Sequence, residues 1–478
     1  MGRSSDDLGD NIKPGEQRAH PLSVGPRGRG GGCGVTQTYG DGTLPFLAAL
    51  GEHAKQHPKR RYRELFKTMC RMDVLRGAWA QAAANDGAAG TDGIGFAAIE
   101  KGPGGVDGFL EQLQSDLLAG EYHPQPVRRV NIPKEGKPGQ FRPLGIPTVR
   151  DRVAMTAAKM VLEPILEARF LNCSWGFRPG RSALDALDAV REAVEAGNLY
   201  VVDADVEQFF DTVNHKRMLL LLDQHVWDPR MRKLVRKWLQ AGLVYHGKRE
   251  ATEKGTPQGG PLSPLLANLY MHYFDRLWRR DGRTLGQVTR YADDFVVLCP
   301  SAEQAAKALE KVREILGRLD LRLNEDKTRV VDLGQQGQGF DFLGYTHRLS
   351  QKRQGRHRLE RWPGTKAERR MNAKIKDLLL SPYLPSNLPD VVRELNALLR
   401  GWGAYFRWGE SRRVFGRVDN YVCRRFALYL ARKYGRRGTG WKWQRPDGTW
   451  MTIYRVLKAL GRHQLRGTER RYRMIATA

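Results

Sequence analysis

The sequence predicts an α+β protein in which strands occupy the middle of the chain and helices precede and follow them. Helical spacing dominates residues 46–120 and most of the chain beyond 366, whereas three strand-like segments lie between 199 and 349. The hydrophobic fraction of 41% over 478 residues is enough for a buried core, which excludes a wholly disordered chain. This length is typical of about two to four packed units.

The N-terminal part of the chain is predicted to be mainly helical. Residues 1–45 are rich in Gly, Pro and Ser, so we expect a disordered tail there. After the helical stretch at 46–120, VRRVNIP at 127–133 is typical of a strand. The segment that follows, KEGKPGQFRPLGIP, contains repeated Gly and Pro residues and is predicted to be a loop. Residues 151–171 and 182–196 again have helical spacing.

The remaining predicted strands lie in the second half of the chain. LYVVDADV at 199–206 indicates a buried strand, and RYADDFVVLC at 290–299 indicates two short strands around a tight turn. Residues 302–319 are predicted to form an amphipathic helix, after which FDFLGYTHRL at 340–349 returns to strand. Beyond 366 the apolar spacing predicts helices.

The formal charge of +28 is concentrated at the C-terminal end. Residues 351–478 contain 31 Lys and Arg against 9 Asp and Glu, so this quarter alone carries +22. Such a field suits a polyanionic partner and serves no purpose in a metabolic enzyme. A solvated charged surface is the alternative. An anionic membrane is disfavoured, because no helix combines a basic face with a clean apolar one.

Cysteine usage and apolar runs exclude several classes of protein. The five cysteines are scattered without a CxxC pair, which argues against a disulfide framework and against a zinc site. The opening MGRSSDDLGD does not resemble a signal peptide, and no apolar run approaches the ~20 residues that span a bilayer. We expect a cytoplasmic, nucleoid-associated bacterial protein with no membrane partner.

Three aspartates are the candidate catalytic residues. Asp205 ends an apolar strand, and Asp293 and Asp294 lie in the turn between two others. Grouped carboxylates are costly unless cations neutralise them, and Mg²⁺ takes a few carboxylates plus substrate phosphates. We predict two Mg²⁺ ions about 4 Å apart, with Mn²⁺ as a substitute, which activate a primer 3′-hydroxyl and stabilise the leaving pyrophosphate. A simple hairpin turn is the alternative for an isolated Asp-Asp pair.

Three motifs, in this order, resemble those of reverse transcriptases. VVDADVEQFFD at 201–211 is similar to the first catalytic motif, GTPQGGPLSPLLANLY at 255–270 to the template- and nucleotide-positioning motif, and YADD at 291–294 to the signature of the family. The resemblance implies a right-hand polymerase fold with fingers, a palm built on an antiparallel sheet, and a helical thumb. It also implies that the three aspartates bind the metal ions, with Asp203 as their support, and that Gln258 and Gly259 bind the nucleotide.

Phe210 lies where the family places its sugar discriminator, five residues beyond Asp205. A bulky ring there would collide with a ribose 2′-hydroxyl, whereas an RNA-dependent RNA polymerase would keep a polar partner for that hydroxyl. The resemblance therefore implies that dNTPs are the substrates and DNA the product. Ordinary core packing is the alternative for this ring. The next aspartate, Asp211, is interpreted as the N-cap of the following helix.

Several basic residues match further positions of the family. Lys134 and Arg142 lie in the predicted Gly/Pro loop and are interpreted as triphosphate ligands, with solvated loop charges as the alternative. GFRPGRS resembles the next family motif, which places Arg178 or Arg181 near template or nucleotide. Lys327 matches a lysine that would protonate pyrophosphate. A surface salt bridge is the alternative for Lys327.

Two more segments resemble group II intron-encoded reverse transcriptases, also called maturases. AGTDGI at 89–94 matches the extension before their finger motifs, and residues 395–426 resemble their maturase-specific thumb region. The resemblance covers about 60–445 and implies binding of the group II intron RNA, help with its splicing, and cDNA synthesis from a DNA primer or target on an RNA template. Formation of a homodimer is possible, and the sequence leaves this question open.

Aromatic and arginine residues alternate in the thumb segment. Aromatic faces can stack on bases while arginines contact phosphates. Helix core is the alternative, which we expect for at least half of the aromatic residues. The candidate RNA-binding residues are Arg400, Trp402, Tyr405, Arg407, Arg412 and Arg413.

The expected organisation has five parts. These are a disordered tail at 1–45, an N-terminal extension and fingers at 46–190, a palm at 191–350, a thumb or maturase domain at 351–430, and a basic nucleic-acid-binding tail at 431–478. Paired cysteines of an HNH endonuclease are missing, so we expect an endonuclease-lacking subclass that primes from a pre-existing 3′ end. A splicing-only maturase and a related polymerase recruited to defence or repair are the rival hypotheses.

Overall fold

The computed structural model describes most of the chain between residues 44 and 452. The described ranges are 44–133, 139–351, 357–380, 387–435, 442–444 and 450–452. The predicted disordered tail therefore lies outside the described residues except for its last two positions. Lys134 and most of the predicted basic tail at 431–478 lie outside them as well.

The described residues form an α+β fold. Its helices are α1 (Pro45–Gln56), α2 (Leu65–Met69), α3 (Met72–Ala83), α4 (Phe96–Glu100), α5 (Gly105–Ala119), α6 (Val149–Glu167), α7 (Ala183–Glu195), α8 (Phe209–Thr212), α9 (His215–Asp223), α10 (Pro229–Leu239), α11 (Ser263–Leu277), α12 (Ala302–Gly317), α13 (Thr365–Leu378), α14 (Leu388–Phe406) and α15 (Arg412–Lys433). Its strands are β1 (Val127–Pro133), β2 (Phe141–Ile146), β3 (Tyr200–Ala204), β4 (Leu243–Tyr245), β5 (Lys248–Glu250), β6 (Gln287–Tyr291), β7 (Asp294–Cys299), β8 (Arg329–Asp332), β9 (Phe340–Phe342), β10 (Tyr345–Gln351), β11 (His357–Pro363), β12 (Lys442–Gln444) and β13 (Trp450–Thr452).

A four-stranded antiparallel sheet in the order β6-β7-β3-β8 forms the centre of the fold. Side chains alternate between its two faces, as the period of a strand requires. On one face Val202 and Val297 join the main core, which includes α11 and α12. On the other face Val201 and Val296 join a second core with α7 and β9–β11. Because both faces of this sheet are buried, the sequences of its central strands are nearly continuous runs of apolar residues.

A second sheet contains a strand that the sequence analysis assigned to a loop. Its order is β2-β1-β4-β5, so β2 is an edge strand and pairs antiparallel with β1. Pro143 lies within β2, where an edge strand tolerates the missing N–H. The loop prediction for FRPLGI was wrong because an edge strand of a sheet can contain the Pro and Gly residues that suggested a loop. Arg142 therefore lies on a strand.

Two other local predictions need correction. FDFLGYTHRL forms two antiparallel strands, β9 and β10, joined by a tight turn in which Leu343 and Gly344 have φ of +50° and +80°. Asp211 lies inside α8, and the helix that follows is capped by Asn214, whose side chain accepts from the Arg217 amide. The N-cap prediction for Asp211 was wrong because an aspartate is common both at the N-cap of a helix and in its first turn, so the sequence does not distinguish the two positions.

The C-terminal helices α13, α14 and α15 form a bundle with a core of their own. Met371, Ile375, Leu395 and Phe426 are all buried in it. The predicted helical thumb is therefore present, and α14 connects this bundle to the second core of the palm through Phe406.

Candidate active site

The end of β3 and the β6–β7 hairpin bring aspartates to one edge of the central sheet. The register pairs Ala204 with Phe295, so the next step along β3 sets Asp205 opposite Asp294. Asp203, two residues earlier, points to the same face as Asp205. Strand pairing thus places carboxylates that are about 90 residues apart in sequence beside one another.

The hairpin turn of the YADD segment has an unusual backbone. Tyr291 pairs with Asp294, which leaves Ala292 and Asp293 as a two-residue loop. Ala292 has a φ of +60°, a left-handed conformation that non-glycine residues rarely adopt. Gly176 packs against it, since a Cβ at Gly176 would lie 2.5 Å from the Ala292 nitrogen. The turn is therefore fixed by neighbours and cannot move freely.

Burial, followed by the charges of neighbouring carboxylates, raises the pKa of Asp293 and of Asp294 at this edge. Loss of hydration raises the pKa of Asp294 to about 7, and the negative charges of neighbouring carboxylates contribute further. Burial also raises the pKa of Asp293, again with a contribution from Asp205. Asp294 is exposed, and Asp205 and Asp293 are half-buried. A cation among these carboxylates would stabilise the charged forms of the whole group.

We expect the stability of the protein in chelator to depend on pH through Asp294. The raised pKa means that the folded state holds this proton more tightly than the unfolded chain. The stabilisation is complete below the ordinary value of 3.8, is lost as pH rises to about 7, and stays constant above it. Melting temperatures of wild type and Asp294→Asn, measured between about pH 5 and about pH 8, should show the wild type falling relative to the variant.

Asp332→Asn is the control for this experiment. Asp332 lies on β8 opposite Tyr200, at the other end of β3 from Asp205. This control retains Asp294 and should follow the wild-type pH profile. Parallel profiles for wild type and Asp294→Asn would contradict the raised pKa.

Lys327 forms an ion pair with Asp205. Its Nζ lies 2.6 Å from Asp205 Oδ2, and both side chains are about half exposed. Asp203 is paired similarly with Arg329 at 3.2 Å. The salt bridge weighed for Lys327 in the sequence analysis is present, but its partner is a candidate metal ligand. Lys327 is thereby held at the sheet edge where the candidate aspartates lie, and its proton-donor role stays a prediction.

The donor set suits a hard divalent cation, although it is not arranged as a closed cage. Among the residues that the structure describes, no group of three or more His, Cys, Asp or Glu side chains is placed to hold a metal ion. Asp205 is turned towards Lys327, and like charges favour separation of the carboxylates. The available ligands are carboxylate oxygens, which are the hard ligands that Mg²⁺ and Mn²⁺ select.

Phe210 and residues 255–258 line a cavity of ≈ 160 Å³ together with residues of β1, β2 and β4. The ring of Phe210 is half-buried, packs edge-on against Phe209 at 5.4 Å, and still contributes to the cavity wall. Gln258 is fixed through its carbonyl, which accepts from the Gly145 amide at 2.7 Å. Gly259 has a φ of +119°, and a Cβ there would lie 2.7 Å from the Gly145 oxygen, so only glycine fits.

Arg142 is the candidate triphosphate ligand that the structure describes. It is exposed on β2, and its positive charge lowers the pKa of Asp293. The finger sheet therefore brings a cation close to the catalytic turn, where a triphosphate would carry negative charge. Lys134, the other candidate, lies outside the described residues.

Arg178 and Arg181 differ in what they contact. Arg178 is 6% exposed and donates to Glu167 and to the carbonyls of Leu171 and Ser174, so it supports the loop from inside. Arg181 is partly exposed and lies over the Trp175 ring. Template contact stays a prediction for both, and the accessible one is Arg181.

Some of the candidate RNA-binding residues of the thumb pack in the helix core, and the others lie on the surface. Trp402 packs on Phe406 and Phe415, and Tyr405 donates its hydroxyl to the Leu343 carbonyl at 2.8 Å. These two rings fit the helix-core alternative. The four arginines are exposed, and within the described part of the chain none of them takes part in an ion pair: Arg400, Arg407, Arg412 and Arg413.

Two residues beside the YADD turn were not singled out from the sequence. Phe177 has a φ of +55°, is 47% exposed, and lies with its ring 6.4 Å from that of Tyr291. Arg290, directly before the YADD segment, is fully buried. The position of Arg290 directly before the YADD segment was the available sign for it, whereas nothing in the sequence distinguishes Phe177.

Comparison with known proteins identifies the family. Residues 132–347 match reverse transcriptase (RNA-dependent DNA polymerase), and residues 368–447 match the group II intron maturase-specific domain. The chain is 36% identical to Protein YkfC of Escherichia coli over 280 residues, which are 51% of this chain and 72% of that protein. It is 27% identical to the group II intron-encoded protein LtrA of Lactococcus lactis subsp. cremoris over 369 residues, 64% of this chain.

The similarity to LtrA covers 60% of the length of LtrA, which is less than two thirds of it. In the described ranges, the helices are too short or too polar to cross a bilayer. The two matched regions follow one another along the chain, and the first contains the three candidate catalytic aspartates. This chain belongs to the reverse transcriptases, the RNA-directed DNA polymerases, and carries the maturase-specific domain of group II intron proteins.

Proposed function

We propose that this protein is the reverse transcriptase and maturase of a group II intron. It copies the intron RNA into cDNA by two-metal nucleotidyl transfer and binds the same RNA to assist splicing and mobility. The observation that carries the proposal is the opposition of Asp205 and Asp294 at one sheet edge, in a chain that also has a maturase-specific domain. A splicing-only maturase would have no need of that opposition.

Each residue of the edge has a distinct task in the proposed reaction. Asp205, Asp293 and Asp294 would hold the two divalent ions, which when bound supply Lewis-acid stabilisation of the attacking and leaving oxygens. Arg142 would bind the triphosphate and hold it over the catalytic turn. Lys327, held on Asp205, would donate a proton to the leaving pyrophosphate.

The nucleotide is selected beside the same edge. The Phe210 ring would exclude a ribose 2′-hydroxyl from the cavity and leave room for deoxyribose. Gln258, whose carbonyl accepts from the Gly145 amide, lines the same cavity, and together with Gly259 it would bind the nucleotide there. This division of tasks predicts that sugar selection and metal binding can be altered separately.

The intron RNA would bind to the exposed arginines of the thumb. Guanidinium groups that have no acidic partner in the described residues are available for phosphates, which they bind bidentately. We expect Arg412→Ala with Arg413→Ala to weaken binding of the intron RNA. The double variant should also lower the slope of log affinity against log salt by up to ~2, since each lost phosphate contact removes up to ~0.9 on duplexes.

The matched control is Arg279→Ala with Arg280→Ala. These two arginines are also adjacent and exposed, but they follow α11, outside the thumb. Filter binding across a salt series, with the intron RNA and with an unrelated RNA of equal length, measures both slopes. Equal slopes for the thumb variant and the control would remove the thumb from the RNA interface, and equal affinity for the two RNAs would contradict a specific intron partner.

A further inference from the structure

Arg290 and Asp275 form an ion pair that is completely buried behind the catalytic turn. Both side chains are 0% exposed, and Arg290 Nε and Nη2 donate to the two Asp275 oxygens at 2.8 and 2.5 Å. Asp275 comes from α11, and Arg290 comes from β6, one residue before the YADD segment. A charge is tolerated in a core only when a partner and further hydrogen bonds satisfy it.

The remaining nitrogen of Arg290 reaches the catalytic turn itself. Nη1 donates to the Ala292 carbonyl at 2.6 Å and to Asn268 Oδ1 at 3.3 Å. Asn268 in turn donates to the Gly176 carbonyl at 2.8 Å, and Gly176 is the residue packed against the Ala292 nitrogen. The turn is thus held from both sides by one connected set of groups.

We propose that Arg290, oriented by Asp275, is the positioning residue that sets the conformation of the catalytic turn and thereby the placement of Asp293 and Asp294. The proposal rests on the proposed function of that turn. Ala292 adopts a strained left-handed φ of +60°, which persists only where the surroundings determine it. The hydrogen bond to its carbonyl is a direct determinant, and its donor is anchored by a carboxylate that cannot reorient in the core.

Only a guanidinium can make this set of contacts. It presents donors in a rigid planar fork, so two can engage Asp275 while a third reaches Ala292. A lysine would keep the charge but would bring a single nitrogen, which cannot reach both partners in that geometry. Charge and positioning can therefore be separated by substitution.

The experiment compares two variants with wild type. The first combines Arg290→Met with Asp275→Leu, because apolar residues of similar volume can replace a buried pair without loss of stability. The second is Arg290→Lys, and its control is Arg361→Lys. Arg361 is also nearly buried and pairs with Asp188 at 3.0 Å and with the Trp408 carbonyl, and within the described residues its side chain makes no hydrogen bond to residues 291–294. The assay measures kcat, the KM for dNTP, the Kd for template–primer, and the melting temperature.

Both Arg290 variants are expected to fold and to bind template–primer and dNTP with affinities within about twofold of wild type. Their kcat should fall by about 10- to 100-fold, which is the loss that a displacement of catalytic groups by about 1 Å can cause. Arg361→Lys should lower the melting temperature as much as Arg290→Lys does and leave kcat within about twofold of wild type.

If the double variant is stable and keeps kcat within about twofold, the pair contributes only to folding and the proposal is overturned. If the double variant does not fold, Arg290→Lys is used instead: a stable Arg290→Lys protein with kcat within about twofold of wild type would also overturn the proposal. Absence of primer extension in the wild type would reject the proposed function instead, so the two failures are distinguishable.

Discussion

Replacing Asp293 with alanine is expected to lower the rate of Mg²⁺-dependent extension of a DNA primer on an RNA template by about 10³-fold or more. Metal stabilisation of the attacking and leaving oxygens contributes several kcal/mol to such a step, and each 1.36 kcal/mol is a factor of ten. Asp293 also lies close enough to Asp205 for their charges to interact, so its loss removes negative charge from the group of aspartates that would hold the ions. Single-turnover extension with saturating dNTP measures the effect.

Asp332→Ala is the matched control for this variant. It removes an aspartate from the same sheet, at the opposite end of β3, where the carboxylate accepts from the Gly334 amide at 2.8 Å. We expect extension within about threefold of wild type, as for a surface substitution away from the site. Full activity of Asp293→Ala would refute the metal assignment, and equal losses in both variants would reveal a folding defect.

Replacing Phe210 with valine is expected to raise the incorporation of ribonucleotides relative to deoxyribonucleotides by about 10- to 100-fold. The smaller side chain opens the wall of the cavity that the ring lines and removes the clash with a 2′-hydroxyl. Discrimination by one steric contact has about this magnitude. Competing rNTP and dNTP in single-nucleotide extension measures the ratio of the two kcat/KM values.

Phe209→Val tests whether lost packing alone changes selectivity. Phe209 is the adjacent ring, is 2% exposed, and packs in the main core. This variant should lose stability and keep its sugar preference. If Phe209→Val relaxes selectivity as much as Phe210→Val, the gate role would be replaced by ordinary core packing.

The fold was largely predictable because it depends on local patterns, and the catalytic role of the aspartate edge stays a prediction. Strands such as β3 and β7 are continuous apolar runs, which a sheet buried on both faces requires. The aspartates interrupt those runs where the strands end. Antiparallel pairing then makes the meeting of Asp205 and Asp294 a matter of register.

The features that were missed depend on tertiary partners. FRPLGI becomes a strand only because β1 offers it an edge. The same holds for Arg290, whose partner Asp275 lies 15 residues earlier on another element. Residue type and spacing carry no information on such pairings.

The contact at Gly176 has a consequence for anyone who wishes to engineer this enzyme. Because its missing side chain is what lets one loop touch the backbone of another, position 176 tolerates no enlargement, however small, without displacing Ala292. Libraries aimed at altered fidelity or processivity gain nothing by randomising that codon. They can instead vary the neighbouring Phe177, whose ring projects into solvent.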